Sequence, residues 1–204
     1  KDVALAIRYA VDNGASIING SFGKSFSPHS DWVREAIAYA AKNDVVFVHA
    51  AGNDSKNVDT EPNFPDDNIN GQEISDSYIR VGALAPKYGS GLLAGFSNYG
   101  KSNVDVFAPG ASIYSTTPEN EYATKGGTSM AAPAVAGVAA LIRSYYPKLS
   151  AAQVKQVILD SGLTIKTKVV VGGNTDDIKP FSDIVKSGKI VNVYNALIMA
   201  SKMA

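Results

Sequence analysis

The chain has 204 residues, of which 45% are hydrophobic and 19% are charged, a composition typical of a folded protein with a sizeable core. Its 19 basic and 19 acidic residues balance, so charge gives no reason to expect binding to nucleic acid or to an anionic membrane, and no apolar run is long enough to span a bilayer. The chain has no cysteine, which excludes a cysteine nucleophile, disulfide bonds and thiolate metal ligands.

Helical and strand patterns alternate along the first part of the chain. Apolar residues at helical spacing predict the helices, and short β-branched runs predict strands that are buried on both faces. Ser30 or Asp31 is the predicted cap of the second helix, and Ser150 with Gln153 forms a predicted capping box. In chain order, the predicted elements are a helix at 2–13, a strand at 15–19 continued by 20–23, a helix at 31–43, strands at 45–48, 78–83, 104–107 and 113–116, a helix from the Thr-Ser pair at 128–129 to about 146, and helices at 151–161 and 192–200.

Three segments are less regular. Residues 54–76 carry two prolines and many Asn and Asp residues, which predicts a loop. Glycine and serine in residues 89–100 predict a turn or a hairpin. Within 163–190, residues 168–171 are interpreted as a strand that ends in a turn at 172–174.

The alternation of buried strands with helices predicts an α/β fold in three layers, with a mostly parallel sheet and right-handed crossovers. We expect a single domain over residues 1–204. In such a sheet, ligands bind beyond the carboxyl ends of the strands. Residues 19–23 and 50–53 follow two predicted strands, so both are expected at that rim.

A serine lies between a glycine-rich turn and the start of a helix. Gly126, Gly127, Thr128 and Ser129 precede a long run of small apolar residues. Backbone N–H groups at a helix start have no partner within the helix, so they can stabilise negative charge beside a serine nucleophile. The alternative interpretation of Ser129 is an N-cap that opens a buried helix.

Two other chemistries do not fit these residues. A phosphate-binding P-loop requires a lysine after its glycines, whereas Lys125 precedes them. The Gly-x-Ser-x-Gly elbow of the α/β-hydrolases requires a glycine where Ala131 stands.

The sequence Gly-Thr-Ser-Met-Ala-Ala-Pro at residues 127–133 resembles the nucleophile motif of the subtilisin-like serine peptidases, or subtilases. Three further segments resemble this family in the same order. Residues 17–23 resemble its substrate-cleft strand, 50–53 its oxyanion segment, and 104–110 the strand and turn that lead to the nucleophile.

This resemblance covers roughly residues 2–162 and the last helix, whereas 163–190 resemble no part of the family and are expected to be a divergent insert. It implies a subtilisin-like fold that lacks its N-terminal strands. The chain is therefore interpreted as the C-terminal portion of a subtilase catalytic domain.

By this resemblance, Ser129 attacks the scissile carbonyl of a polypeptide substrate, and its own N–H and the Asn53 side chain donate hydrogen bonds to the resulting oxyanion. Residues 21–23 would pair with an extended substrate, and residues 50–52 would form the facing wall of a pocket with room for a large apolar side chain. The candidate catalytic residues are Ser129 and Asn53, and the candidate substrate-binding residues are Ser21, Phe22, Gly23, Ala50, Ala51, Gly52 and Thr128.

The family's catalytic histidine and aspartate have no counterpart in this chain. In subtilases both precede the cleft strand, which here begins near residue 15, and neither His29 nor His49 matches the position of the base. The parent protein is expected to be a serine endopeptidase, and this chain is expected to be inactive alone. The alternative is a non-catalytic subtilase-like scaffold or binding domain.

No cofactor or metal is assigned. Some subtilases bind calcium in loops, but the acidic loops at 54–76 and 174–177 are explained equally by solvation. The expected partners are a polypeptide substrate and the missing N-terminal half of the catalytic domain, with neither nucleic acid nor membrane. An open sheet edge would also favour self-association, and the resemblance implies a secreted or cell-envelope protein.

Overall fold

The computed structural model describes residues 1–204, with five α-helices and twelve β-strands. The helices are α1 (Asp2–Asp12), α2 (Ser30–Lys42), α3 (Thr128–Tyr145), α4 (Ala151–Ser161) and α5 (Val193–Ser201). The strands are β1 (Ile17–Gly20), β2 (Val46–Ala50), β3 (Asn68–Ile69), β4 (Gln72–Glu73), β5 (Tyr78–Leu84), β6 (Val106–Pro109), β7 (Ile113–Thr117), β8 (Glu121–Lys125), β9 (Leu163–Thr164), β10 (Lys168–Val171), β11 (Asn174–Pro180) and β12 (Lys189–Ile190).

Six strands form the main sheet, in the order β1-β2-β5-β6-β12-β9. Neighbouring strands run parallel from β1 to β12, and only β9 is antiparallel to its neighbour. The predicted α/β fold with a mostly parallel sheet is therefore confirmed. β1 is one edge of this sheet, because its only partner strand is β2.

Alternating side chains of the strands divide the core between the two faces of the sheet. In β2, Val46 and Val48 pack with α3, α4 and α5 on one face. Phe47 points to the other face, where α1 and α2 cover it. Phe107 lies on that same face further along the sheet and packs against Phe181 at a centroid distance of 5.5 Å. The sheet thus lies between two layers, as the sequence predicts.

The segment expected to be a divergent insert joins the main sheet at both ends, through β9 and β12. Between them, β10 and β11 form an antiparallel hairpin around Gly172 and Gly173, both of which have positive φ. Val169 and Val171 of β10 are buried in the core. The predicted strand and turn are present, and the sequence does not predict the returning strand.

The start of α2 differs from the prediction. His29, and neither Ser30 nor Asp31, occupies the N-cap position, and no side chain caps the helix. Ser30 lies one residue inside the helix, where its Oγ accepts a hydrogen bond from Arg34 Nη1 at 3.4 Å. The predicted capping box of α4 is present, with Ser150 Oγ accepting from the Gln153 N–H and Gln153 Oε1 from the Ser150 N–H.

Two further hairpins go beyond the predicted elements. The predicted loop at 54–76 contains β3 and β4, which are joined through Asn70 and Gly71, both at positive φ. β7 pairs with β8 across a turn at Glu119 and Asn120, again both at positive φ. The second of these hairpins leads directly into the turn before α3.

Candidate active site

Ser129 lies in the first turn of α3, against residues that follow β1 and β2. Gly127 precedes the helix with φ of 156°, a conformation that L side chains rarely adopt. Its N–H donates to the Gly110 carbonyl at 2.8 Å, which fixes the turn. The Ser129 N–H makes no hydrogen bond within the protein, so it is free to donate to a ligand.

Two hydrogen bonds of opposite direction join Ser129 to Ser21. Ser129 Oγ donates to the Ser21 carbonyl at 3.1 Å, and Ser21 Oγ donates to the Ser129 carbonyl at 2.9 Å. The second bond replaces a helical one, because Pro133 lies four residues after Ser129 and has no N–H. β1 ends at Gly20, so Ser21 lies just beyond the strand and does not continue it as predicted.

Thr128 connects the start of α3 to the segment after β2. Its N–H and its Oγ1–H both donate to Asn53 Oδ1, at 2.8 and 2.9 Å, and its Oγ1 accepts the Gly52 N–H at 3.0 Å. A backbone N–H can only donate, so the oxygen of the Asn53 amide must face Thr128. The Asn53 NH₂ group therefore points away and remains free to donate. Thr128 is predicted to bind substrate, but its N–H and hydroxyl groups instead make hydrogen bonds to Asn53 and Gly52 that position Asn53.

Sequence reasoning misses a second residue that holds this segment. Asn98 is fully buried. Its Nδ2 donates to the Ala51 carbonyl at 2.9 Å, and its Oδ1 accepts from the N–H groups of Asp54 and Lys56 at 3.0 and 2.9 Å. Asn53 lies within the segment that these bonds fix. Asn98 occurs in a predicted turn, and no local pattern distinguishes it from an ordinary turn asparagine.

A cavity of about 290 Å³ opens beside Ser129 and contains both candidate catalytic residues. Ser21 contacts Ser129 without lining this cavity, and Ala51 lies instead in the core beneath the sheet. Only two lining residues are hydrophobic, so the cavity is more polar than the apolar pocket that the sequence predicts. Its lining residues are Phe22, Gly23, Lys24, Ser25, Ala50, Gly52, Asn53, Asp54, Asn63, Thr128 and Ser129.

A second cavity, of about 270 Å³, shares Phe22, Gly23 and Lys24 with the first. Its other walls come from the beginnings of α1 and α2 and from Phe64 and Pro65. The residues after β1 therefore separate two cavities. Phe22, which is 45% exposed, contributes to both.

Neither histidine is hydrogen-bonded to Ser129, whose hydroxyl donates to Ser21. His49 is fully buried in β2, with Nε2 2.6 Å from the Phe22 carbonyl; a carbonyl only accepts, so Nε2 carries the proton. Burial, and to a smaller extent the charge of Arg80, lowers the pKa of His49 to about 3, so the ring is neutral at neutral pH. His29 lines the second cavity.

Two carboxylates of the 54–76 loop have partners within the protein. In the 54–76 loop, Asp59 accepts hydrogen bonds from the N–H groups of Ser102 and Asn103, and Asp66 pairs with Arg34 at 2.8 Å. No three His, Cys, Asp or Glu side chains come together in a way that could hold an ion.

Comparison with known proteins gives a consistent result. The profile of the Subtilase family matches residues 1–179. Subtilisin DY of Bacillus licheniformis is 40% identical over 154 residues, which cover 75% of this chain and 52% of that protein. Thermitase of Thermoactinomyces vulgaris is 41% identical over 142 residues, 70% of this chain and 45% of that protein. The solved structure of the prenylagaramide maturation protease PagA matches with a TM-score of 0.75 at 29% identity, covering 98% of this chain and 66% of that one.

The chain belongs to the subtilase family of serine proteases, and its fold is subtilisin-like. The family resemblance stated from the sequence is thus confirmed. The chain spans about half the length of the curated relatives named above. No helix is both long enough and apolar enough to cross a membrane.

Proposed function

We propose that this chain is the C-terminal part of the catalytic domain of a serine endopeptidase and supplies its nucleophile, its oxyanion hole and much of its substrate cleft. One observation carries the proposal above all others. Thr128 binds Asn53 to the turn that carries Ser129, which leaves the Asn53 NH₂ group and the Ser129 N–H as two free donors beside one hydroxyl. This is the donor set that acyl transfer to a serine requires.

In the proposed reaction, Ser129 Oγ attacks the carbonyl carbon of the scissile peptide bond. The carbonyl oxygen becomes an oxyanion, to which the Ser129 N–H and Asn53 Nδ2 donate. The general base takes the Ser129 hydroxyl proton and passes it to the nitrogen of the departing amine as the C–N bond breaks. Water then hydrolyses the acyl ester left on Ser129. Both donors are fixed before substrate arrives, so little reorganisation opposes the developing charge.

The substrate is proposed to lie as an extended chain along residues 21–23. These residues follow the edge strand β1, and extended peptides commonly add to such backbone. The cavity beside Ser129 and the cavity on the far side of Phe22 would receive alternate side chains of that peptide.

The general base and its carboxylate partner are proposed to come from residues outside this chain. Ser129 Oγ donates to a backbone carbonyl here, and an alcohol without a base is a weak nucleophile. The chain covers only about half of these relatives, which leaves room for the missing groups. We therefore expect the chain to be inactive alone.

The same proposal includes expectations about the extent of the domain, the location of the protein and its need for a cofactor. Residues 1–204 form one domain, with 163–190 as a divergent insert. The protein acts outside the cell or at its envelope, which family membership supports. It needs no cofactor, and calcium is not assigned to any of its residues.

The proposal is tested with the chain alone and with the product of the complete gene. We expect the complete protein to hydrolyse a peptide library and to react with a fluorophosphonate, whereas the chain alone does neither. Ser129→Ala should abolish both activities. Ser201→Ala, at an exposed serine on α5, is the matched control and should leave both unchanged.

Two results would count against the proposal. Hydrolysis that survives Ser129→Ala would assign the chemistry to another nucleophile. A complete protein that binds peptides without cleaving them would favour the alternative, a subtilase-like binding domain. The hydrogen bond from Ser129 Oγ to a carbonyl is the one observation that favours this alternative.

A further inference from the structure

We propose that Asn63 determines the specificity of the cavity beside Ser129, and that this cavity selects a peptide residue with a carboxamide side chain, glutamine above all. The inference rests on the proposed function, because it assigns that cavity to the substrate residue that precedes the cut. It also replaces the apolar preference expected from the small residues after β2.

The backbone places Asn63 in the wall of this cavity. Lys24 and Phe64 form an isolated antiparallel pair, with N–H to carbonyl distances of 2.9 and 2.8 Å. Asn63 is therefore carried next to Gly23. Its backbone carbonyl accepts a hydrogen bond from Nη2 of the buried Arg80 at 3.2 Å, which fixes it from below.

Two glycines make room for the Asn63 side chain. A Cβ at Gly23 would lie 3.1 Å from Asn63 Oδ1, and a Cβ at Gly52 would lie 2.9 Å from Asn63 Nδ2. Both glycines line the same cavity as Ser129. The Asn63 amide thus lies between the two walls that the sequence assigns to substrate binding.

The Asn63 amide is buried and has no internal partner. Asn63 is only 6% exposed, and its Oδ1 is buried without any hydrogen bond. Its sole hydrogen bond within the protein is the one that its backbone carbonyl accepts from Arg80. Buried polar groups are normally paired, and an unpaired one is costly, so this amide is suited to a ligand that completes it.

A primary amide offers one acceptor and a pair of donors, and another primary amide complements both. An apolar side chain would cover the Asn63 amide without satisfying it. A lysine could use only the acceptor, and a carboxylate only the donors. The lining charges, Lys24 and Asp54, are one of each sign and so favour neither ion. A carboxamide is therefore the side chain that this wall fits, whichever way the amide is oriented.

The test uses product-like peptides, which need no general base. Acetylated tetrapeptides of one common sequence end in Gln, Met, Asn, Leu or Lys with a free carboxylate, and their binding to the chain is followed by NMR titration. Gln against Met and Asn against Leu are matched in length and shape. We expect each carboxamide to bind about tenfold more tightly than its apolar match, as two modest hydrogen bonds predict.

Variants connect the preference to the residue. Asn63→Leu should reduce the Gln to Met ratio to within about twofold, whereas Asn195→Leu, the same change on α5, should preserve it. Asn63→Asp keeps the size and removes the donors, so it should shift the preference from Gln to Lys. This second variant decides the matter if Asn63→Leu does not fold.

Equal binding of Gln and Met by the unaltered chain would overturn the inference, as would no binding by any peptide or a preference that survives both Asn63 variants. Failure of the proposed function is a separate result. Carboxamide-selective binding by a complete protein that hydrolyses nothing would overturn the endopeptidase and retain the selectivity. Hydrolysis without carboxamide selectivity would overturn the selectivity and retain the endopeptidase.

Discussion

Thr128 makes three hydrogen bonds from a fully buried position, two to Asn53 and one to Gly52. The same threonine is thereby a helix-start residue and the anchor of Asn53, the proposed oxyanion donor. Its hydroxyl acts as donor and as acceptor, a combination that no hydrocarbon side chain can reproduce. The geometry of Asn53 thus depends on a residue that need not contact substrate through its own polar groups.

Replacing this hydroxyl should destabilise the protein and loosen Asn53. Thr128→Val leaves the Gly52 N–H without its partner, so we expect the free energy of unfolding to fall by about 1–3 kcal/mol. Thr128→Ser keeps the hydroxyl and is expected to cost less. Urea unfolding measures both, and equal losses in the two variants would show that the methyl group matters and the hydrogen bonds do not.

Asn53 itself is expected to act on the reaction more than on the fold. Removal of one oxyanion donor in a subtilisin lowers kcat by about 10²–10³-fold, and we expect Asn53→Leu in the complete protein to behave in the same way. KM should change little, because the bond forms in the transition state. Steady-state kinetics separates the two constants. A variant with unchanged kcat would exclude Asn53 from the oxyanion hole.

The buried, neutral His49 is expected to make the stability of the protein depend on pH. Its folded pKa, about 3, lies below the ordinary value of 6.5, so the unfolded chain binds the extra proton first. The contribution of the neutral His49 ring to the free energy of unfolding is complete above about pH 6.5. It is lost as the pH falls towards 3, with a slope approaching 1.4 kcal/mol per pH unit. Of the groups that face it, Tyr78 stacks on the ring and Arg80 carries the charge.

A difference measurement isolates this effect, because Asp67 titrates in the opposite sense. Burial raises the pKa of Asp67 to about 7, so its contribution is present at low pH and is lost as the pH rises from 3.8. We therefore expect the stability of the unaltered chain, relative to His49→Phe, to decline steadily from pH 6.5 to pH 4. Urea unfolding across that range gives the difference, and a constant value would contradict the neutral, buried imidazole.

At this scale the sequence identifies residues whose chemistry is local. Ser129 and Asn53 follow glycines at the ends of recognisable motifs, and the structure brings them to one cavity. Asn98 and Asn63 are not identified, because their roles arise from tertiary contacts with residues 11 to 47 positions away. Each occurs in a polar, turn-like segment in which asparagine is ordinary.

α3 begins with a conflict between its sequence and regular helical bonding. Pro133 removes the N–H that would bind the Ser129 carbonyl, and Ser21 Oγ replaces it. The interruption ties the first turn of the helix to the cleft residues. A continuous helix would satisfy the same carbonyl internally and would have no such connection.

A double-mutant cycle measures how far Ser21 Oγ and a helical N–H at position 133 compete for the Ser129 carbonyl. Ser21→Ala alone leaves the Ser129 carbonyl unpaired and is expected to cost about 1 kcal/mol of stability. In a Pro133→Ala background the helix supplies its own N–H, so the same change should cost distinctly less. Urea unfolding of the four proteins gives the coupling. Additive losses would mean that Ser21 and the helix do not compete for that carbonyl.

Elements are predictable where local pattern and tertiary environment agree. The central strands and all five helices occur where apolar periodicity predicts them. The β3–β4 hairpin carries an Asn70-Gly71 turn, a strong hairpin signal that the many polar neighbours obscure. β8 is largely exposed and pairs only with β7, so it leaves no apolar pattern. The start of α2 is uncapped, and Ser30 Oγ accepts from Arg34 instead, a contact that spacing alone does not reveal.

On the scale of the whole molecule, one strand edge and one helix face lack a partner within the chain. β1 leaves an edge unpaired, and α3 exposes a continuous face without a charged side chain. Large uncharged faces of this kind usually belong to interfaces. Because the chain covers only about half of its relatives, we assign this face to the residues proposed to carry the general base. The exposed residues of α3 are Pro133, Ala134, Gly137, Ala140, Leu141, Ser144 and Tyr145.

The isolated chain should use the same face for self-association. We expect light scattering to give a mass that exceeds the monomer and rises with concentration. Leu141→Lys combined with Tyr145→Lys should restore a monomer, because both side chains are exposed there. Tyr88→Lys, at a fully exposed tyrosine elsewhere, is the control. A monomeric unaltered chain at all concentrations would contradict the assignment of this face.

The bonds through Thr128 have a consequence for assembly. The contacts of Thr128 that position Asn53 all lie within this chain, so the proposed oxyanion hole is formed before any base arrives. Two separate polypeptides could therefore form the proposed catalytic domain, with the division between neighbouring strands of the sheet. A separately produced polypeptide that carries the base and pairs with β1 would need only to dock, and activity would appear by complementation in trans.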